Sequence, residues 1–214
     1  MAINSEVALV SLDTLKVFLA DTQTDDFISD DSYDAKLEGI IDAVGRFFNT
    51  YTERTLVEAE HTEYLDGDGS STILLPQFPI ISTTSEIEVY VDIDREYPAS
   101  SKIAADKIII YSKEGVVRIE DDVFTEGPQS VKVVYTAGYE LTSDDGELLP
   151  EDLREAALMT CGALWKTEKE KLFKTSAVTI AGGSATFDVD EALPKFAKEV
   201  LELYVATDRA GIIW

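Results

Sequence analysis

The chain has 214 residues, 45% of them hydrophobic and 28% charged, so it can bury a core and is not a disordered tail. Its 42 acidic and 18 basic residues give a formal net charge of −24, which argues against a general nucleic-acid binder and against adhesion to an anionic membrane. One cysteine and one histidine exclude a disulfide framework and multi-histidine metal sites. No apolar run reaches the ~20 residues of a membrane span, and we expect no secretory signal at the start.

The first third of the chain predicts two helices. Ser11 is a suitable cap for a short helix whose apolar residues lie between positions 12 and 19. After an acidic stretch, apolar residues recur at intervals of three and four over positions 33–51, which is typical of one amphipathic helix. Phe47 and Phe48 are both expected on its buried side.

The middle of the chain changes to the two-residue period of strands. Residues 62–65 and 72–75 flank the turn-forming sequence at 66–70, which predicts a hairpin with Asp66 and Asp68 at its tip. Further strands are predicted at positions 87–91, 108–111, 116–119 and 131–135. Together they form a small antiparallel sheet inserted between helices.

The last third predicts another long helix, opened by Pro150. Its buried side is marked by five residues: Leu153, Ala157, Cys161, Leu164 and Trp165. Two short strands then flank Gly182-Gly183, which indicates a compact hairpin. A final helix begins near 190–194 and is expected to bury four residues: Phe196, Val200, Leu203 and Tyr204.

These elements predict an α+β fold. Residues 1–59 and 149–174 form a small helical bundle whose core contains Phe47, Phe48, Leu153, Ala157 and Leu164. Residues 60–148 form the inserted acidic antiparallel β segment. Residues 175–214 add a hairpin, a helix and an apolar tail.

The sequence predicts no catalytic, cofactor-binding or metal-binding residue. Asp66-Gly67-Asp68 resembles the start of a calcium loop, but its twelfth position is Gln77 instead of the required glutamate. Paired acids such as Asp121-Asp122 have no spacing that selects them for catalysis, and we interpret them as solvated surface. Cys161, on the apolar side of a helix, is expected in the core.

The order of the motifs resembles the head–tail connector family of tailed phages, also called adaptor or head-completion proteins. The resemblance covers roughly residues 10–172. It is carried by short segments in a fixed order: Ser11–Lys16, Tyr51–Leu56, Glu63–Gly67, Leu74–Ile80, Tyr135–Tyr139 and Leu149–Ala157. The long acidic β segment and the residues after 174 depart from compact family members.

The resemblance implies a structural virion protein that is not an enzyme and needs no cofactor. Such proteins form a ring, usually twelve-fold, beneath the portal of a filled head, extend the DNA channel and carry the next neck or tail protein. The implied partners are therefore other copies of the chain, the portal and that next protein, with DNA passing through unbound and no membrane. The implied location is the virion neck, after assembly in the host cytoplasm.

Two surfaces are candidates within that role. Asp66 and Asp68 are candidates for the channel lining, because an acidic wall repels DNA phosphates. Ile212, Ile213 and Trp214 end the chain as an apolar anchor, and we expect them to dock on the portal.

Other functions stay open at this point. The chain could be another phage structural protein, such as a tail terminator, expected to be mostly sheet, or a decoration protein. An acidic hydrolase or a calcium-binding module is a weaker alternative. A salt-adapted protein would also be acidic, although 12 lysines against 6 arginines argue against it.

Overall fold

The structure, a computed structural model, describes residues 6–20, 31–141, 149–169, 178–180, 183–185 and 193–206. Within these ranges the chain forms four helices: α1 (Leu12–Ala20), α2 (Asp34–Thr52), α3 (Glu151–Lys169) and α4 (Lys195–Glu202). Its strands are β1 (Ala59–Gly67), β2 (Thr72–Leu74), β3 (Glu88–Val91), β4 (Ile108–Tyr111), β5 (Val116–Ile119), β6 (Gly127–Ala137), β7 (Val178–Ile180) and β8 (Gly183–Ala185). This confirms the predicted α+β class.

The chain divides into two compact units. One consists of Met1–Glu53 and Leu149–Trp214, and contains the four helices; the other is Arg54–Leu148 and contains β1 to β6. The expectation that residues from 175 onward form a separate segment stays a prediction. No helix of the described residues is long and apolar enough to cross a membrane.

Polar contacts mark the first turns of three helices. The Ser11 hydroxyl accepts the Thr14 N–H at 3.1 Å, as a helix cap does. Lys16 of α1 is buried and forms an ion pair with Asp34, the first residue of α2. The hydrogen bond with Asp34 raises the pKa of Lys16, so the ammonium stays charged although it is buried. At the start of α3, the Pro150 carbonyl accepts the Arg154 N–H at 3.0 Å.

The helical unit buries one side of each helix. Phe48, Leu153 and Ala157 lie in its interior, and Leu164 is half-buried. Phe47 was predicted in the core, but its side chain is 43% exposed. The buried arc of α2 is narrower than the apolar arc of its sequence, because neighbouring helices cover only the side that carries Leu37, Ile41 and Phe48.

The helix α4 also exposes two residues that were predicted to be buried. Its buried residues are Ala197, Val200 and Leu201, whereas Phe196 is 43% and Leu203 77% exposed. Tyr204 is half-buried, and its hydroxyl donates to the carboxylate of Asp152 at 2.9 Å. The short helix therefore has two apolar sides. The side with Val200 and Leu201 is buried, whereas the side with Phe196 faces outward.

The second unit consists of two antiparallel sheets with strand orders β1-β6-β3 and β2-β5-β4. Alternate residues of both sheets meet in a single apolar cluster that includes Val89, Val133 and Tyr135 from the first sheet, and Val117 and Ile119 from the second. The predicted hairpin of residues 62–75 is therefore wrong. β1 pairs with β6, and β2 pairs with β5, so the turn at 66–70 passes from one sheet to the other.

Adjacent phenylalanines on α2 provide a test of the buried side. Phe48→Ala should lower the free energy of unfolding by about 3–5 kcal/mol, because it leaves a cavity in a closed core. Phe47→Ala should change it by less than about 1 kcal/mol, because that ring already faces solvent. Chemical denaturation of both variants measures the difference, and equal losses would show that the buried side is assigned wrongly.

Candidate functional site

Arg54, the first residue of the β-sheet unit, is buried where three segments of the chain meet. We call its contacts with Phe78 and Tyr139 the Arg54 junction. Its guanidinium carbon lies 3.8 Å from the ring centroid of Phe78, and Nη1 donates to the Phe78 carbonyl oxygen at 3.0 Å. Nη2 reaches the Tyr139 hydroxyl at 3.5 Å. A planar guanidinium suits this position, because it can stack on an aromatic ring while it donates hydrogen bonds in its own plane.

The neighbouring backbone is fixed at the same junction. The Gln77 side-chain carbonyl accepts the Thr55 N–H at 2.7 Å, and the Gln77 N–H donates to the Tyr135 hydroxyl at 3.2 Å. Gly138 has a φ of 117°, and a Cβ there would lie 2.6 Å from the Val57 carbonyl oxygen. Three of the short segments that carried the family resemblance, around residues 54, 78 and 138, thus meet in space. Their role is structural.

Asp66, near the end of β1, and Asp68, in the loop that passes from one sheet to the other, are both exposed. The Asp66 carboxylate accepts the Gln129 N–H at 2.7 Å, and the Asp68 carboxylate accepts the Ser70 N–H at 2.8 Å. Hydrogen bonds from the Ser70 hydroxyl and from the Ser70 N–H lower the pKa of Asp68, so this carboxylate stays ionised. Backbone N–H groups therefore hold both carboxylates in place at this point of the chain.

An acidic cleft lies on the outer side of the sheet β1-β6-β3. Glu58, Glu60 and Glu86 line it together with Thr136 and Ser82. Burial and the nearby Glu140 carboxylate raise the pKa of Glu58. The described residues contain no group of three or more side chains placed to hold a metal ion. The arrangement repels anions, phosphates included.

A tyrosine cluster lies at the other end of the same outer side, and sequence reasoning missed it. The Asp92 carboxylate accepts the N–H groups of Glu96 and Tyr97 at 2.9 Å, which holds Tyr97 at a φ of 49°. The Tyr97 ring lies 5.6 Å from that of Tyr64 and 5.9 Å from the Lys132 ammonium. The outward position of Tyr64 follows from strand alternation, but no local pattern indicates that Tyr97 comes to lie beside it.

Among the described residues, the single cysteine and the single histidine do not form a reactive pair. Cys161 is buried, as predicted, and burial raises the pKa of its thiol to about 12. The thiolate that a nucleophile needs is therefore absent at neutral pH. His61 on β1 is half-buried, and burial lowers its pKa. The predicted anchor of Ile212, Ile213 and Trp214 lies outside the described residues.

Comparison with known proteins identifies the class. The family model of head completion proteins matches residues 10–206. The chain therefore belongs to the head completion protein family. This confirms the resemblance seen in the sequence: the protein is a structural component of a virion that acts as a head–tail connector at the head–tail interface.

Solved structures share the fold. A chain in the virion of a native gene transfer agent particle matches with a TM-score of 0.58 and 16% identity, over 95% of this chain and 92% of that one. A chain in the neck of an empty gene transfer agent particle, computed with C6 symmetry, matches with a TM-score of 0.55 and 15% identity over the same shares. No curated protein matches the sequence.

The Arg54 junction can be tested by a conservative change. Arg54→Lys keeps the charge but loses the planar stack on Phe78 and the forked donors, so it should lower the free energy of unfolding by about 2–3 kcal/mol. Arg118→Lys is the matched control, because Arg118 is exposed. Equal stability of the two variants would contradict the structural role of the junction.

Glu63 gives the protein a predictable pH dependence. Burial raises its pKa, so the folded protein binds this proton more tightly than the unfolded chain does. The resulting cost is absent below the ordinary pKa of about 4.3 and grows as the pH rises above it. Glu63→Gln should therefore raise the melting temperature at neutral pH and leave it unchanged near pH 4. Glu60→Gln, on the exposed side of the same strand, should change it little at either pH.

Proposed function

We propose that the chain forms a ring between the portal of a DNA-filled head and the next neck or tail protein. In this proposal the ring extends the DNA channel, provides the platform on which the tail is attached, and has no enzymatic activity. Its partners are other copies of the same chain, expected as twelve, the portal and the next neck protein. The DNA passes through without specific binding, and no membrane is involved.

The family match carries this proposal. It spans residues 10–206 and therefore includes both compact units. The neck structure that shares the fold was computed with C6 symmetry, which supports a cyclic arrangement of several copies. The mixture of helices and sheets favours a connector over a tail terminator, which would be mostly sheet.

The charge of the chain supports the channel role. A channel must hold DNA without retaining it, and a protein that neutralises no phosphates releases no counterions and gains no affinity. The acidic cleft and the fixed charges of Asp66 and Asp68 have the required sign. We propose that Asp66 and Asp68 line the lumen, and that Ile212, Ile213 and Trp214 dock on the portal.

Complementation in vitro tests the function. DNA-filled heads that lack this protein should lose DNA and fail to accept tails. Addition of the purified chain should restore both DNA retention and tail joining, counted by electron microscopy and by infectivity. If filled heads accept tails equally well without the chain, the connector role is wrong.

Lysines in the loop test the channel lining. Asp66→Lys with Asp68→Lys should give assembled rings an affinity for duplex DNA that falls steeply with salt, because each copy adds cations around the lumen. Asp106→Lys with Glu114→Lys changes the same charge at other exposed positions and should not. Equal DNA binding by the two double variants would contradict the lumen assignment while leaving the ring intact.

Deletion of residues 211–214 tests the anchor. The fold should survive, because chain ends contribute little to a core unless they are held. Heads should then fill but fail to retain the connector, since a tryptophan and two isoleucines contribute several kcal/mol of burial in every copy. Isolation of filled heads that bind the truncated chain as well as the full one would show that the anchor lies elsewhere.

A further inference from the structure

The strand β1 lies at the edge of its sheet. It pairs with β6 on one side, and in the order β1-β6-β3 no strand of the described residues lies on its other side. The backbone N–H and C=O groups along such an edge are a template on which a further strand can pair. With nine residues β1 is a long template, and its sequence contains neither proline nor lysine, two residues that often protect an edge.

Two ionisable side chains of β1 point toward the core instead of toward solvent. In the strand ladder His61 lies opposite Tyr135 and Glu63 lies opposite Val133, and residues directly opposed in this way share one side of a sheet. Both Tyr135 and Val133 are buried in the apolar cluster of this unit. The exposure of β1 alternates to match, with Glu60 exposed and the inward residues half-buried.

Neither of these inward side chains has a compensating partner among the described residues. Glu63 forms no ion pair and no hydrogen bond there, and Nε2 of His61 is buried without a hydrogen-bond partner. Burial alone raises the pKa of Glu63 and lowers that of His61. Both groups therefore destabilise the fold, and packing by itself would favour an apolar residue opposite Val133.

The open edge is what limits this destabilisation. Because no strand of the described residues lies beside β1, water still reaches the half-buried carboxylate of Glu63. A strand added at the edge would place its own side chains beside Glu63 and His61 and would exclude that water. An unpaired carboxylate that loses its remaining water is among the most unfavourable groups in a protein interior. The inward carboxylate thus opposes the addition of a strand.

We propose that Glu63 keeps the edge of β1 free of added strands, and that His61 beside it acts in the same sense. The strand to be excluded is the β1 of a second copy, because every copy of the chain brings the same open edge. Glu63 lowers the stability of the single chain but prevents copies from pairing edge to edge. This role is independent of the proposed connector function, since it concerns any two copies that meet in solution.

Two valine substitutions on the same strand test the proposal. Glu63→Val removes the inward carboxylate, and Glu60→Val removes an exposed one, so both change the net charge equally. At neutral pH and molar salt, Glu63→Val should raise the melting temperature and yet self-associate about tenfold more tightly than Glu60→Val, because its edge no longer opposes pairing. Sedimentation at several protein concentrations measures the association. If exposed apolar surface were the cause, the order would be the reverse, because position 60 is the more exposed.

Hydrogen exchange locates the contact that forms. In the associated form of Glu63→Val, the β1 amides that face the open edge should exchange about tenfold more slowly than in its monomer, because they then donate to a second strand. The amides of α2 should exchange at the same rate in both forms. Slower exchange in α2 with unchanged exchange in β1 would show that another surface associates, and would overturn the proposal.

Association of Glu63→Val that is no tighter than that of Glu60→Val would also overturn it. Should Glu63→Val lower the melting temperature, the milder pair Glu63→Gln and Glu60→Gln is compared in the same way, and equal association of those two would contradict the proposal. None of these results changes the outcome expected for tail joining by the native chain, so failure here and failure of the connector function are distinguishable.

Discussion

The β-sheet unit depends on a buried guanidinium. Arg54 begins this unit, and it contacts Phe78 and Tyr139, which lie 24 and 85 residues later in the chain. A buried charge is stable only when its donors are used, so the surrounding backbone must stay where the guanidinium can reach it. The entry of the chain into the unit, the loop after β2 and the exit after β6 are thereby fixed together.

Electrostatic repulsion between the many carboxylates is the second constraint on this chain. Backbone N–H groups hold the carboxylates of Asp66 and Asp68 in place, and three glutamates share the cleft of the first sheet. The exposed side of α2 carries none. The acidic residues of this chain of net charge −24 are therefore not spread over every exposed side.

Local patterns in the sequence predicted much of this fold, and contacts between distant residues account for what they missed. Strand alternation and the cap at Ser11 are local, and both were correct. The turn at 66–70 was placed correctly but given the wrong partners, because strand pairing depends on β6, about sixty residues away. Phe47 was misplaced because the width of a buried arc depends on how many helices pack against it. The Arg54 junction has no local signature at all.

Imaging of the intact virion tests the central claim most directly, that this chain forms the connector between head and tail. A map of the neck with cyclic averaging should show a closed ring directly below the portal, into which the helices and sheets of residues 31–141 and 149–169 fit once per subunit. A neck ring built entirely from other chains, with this chain on the capsid surface or at the tail tip, would contradict the account.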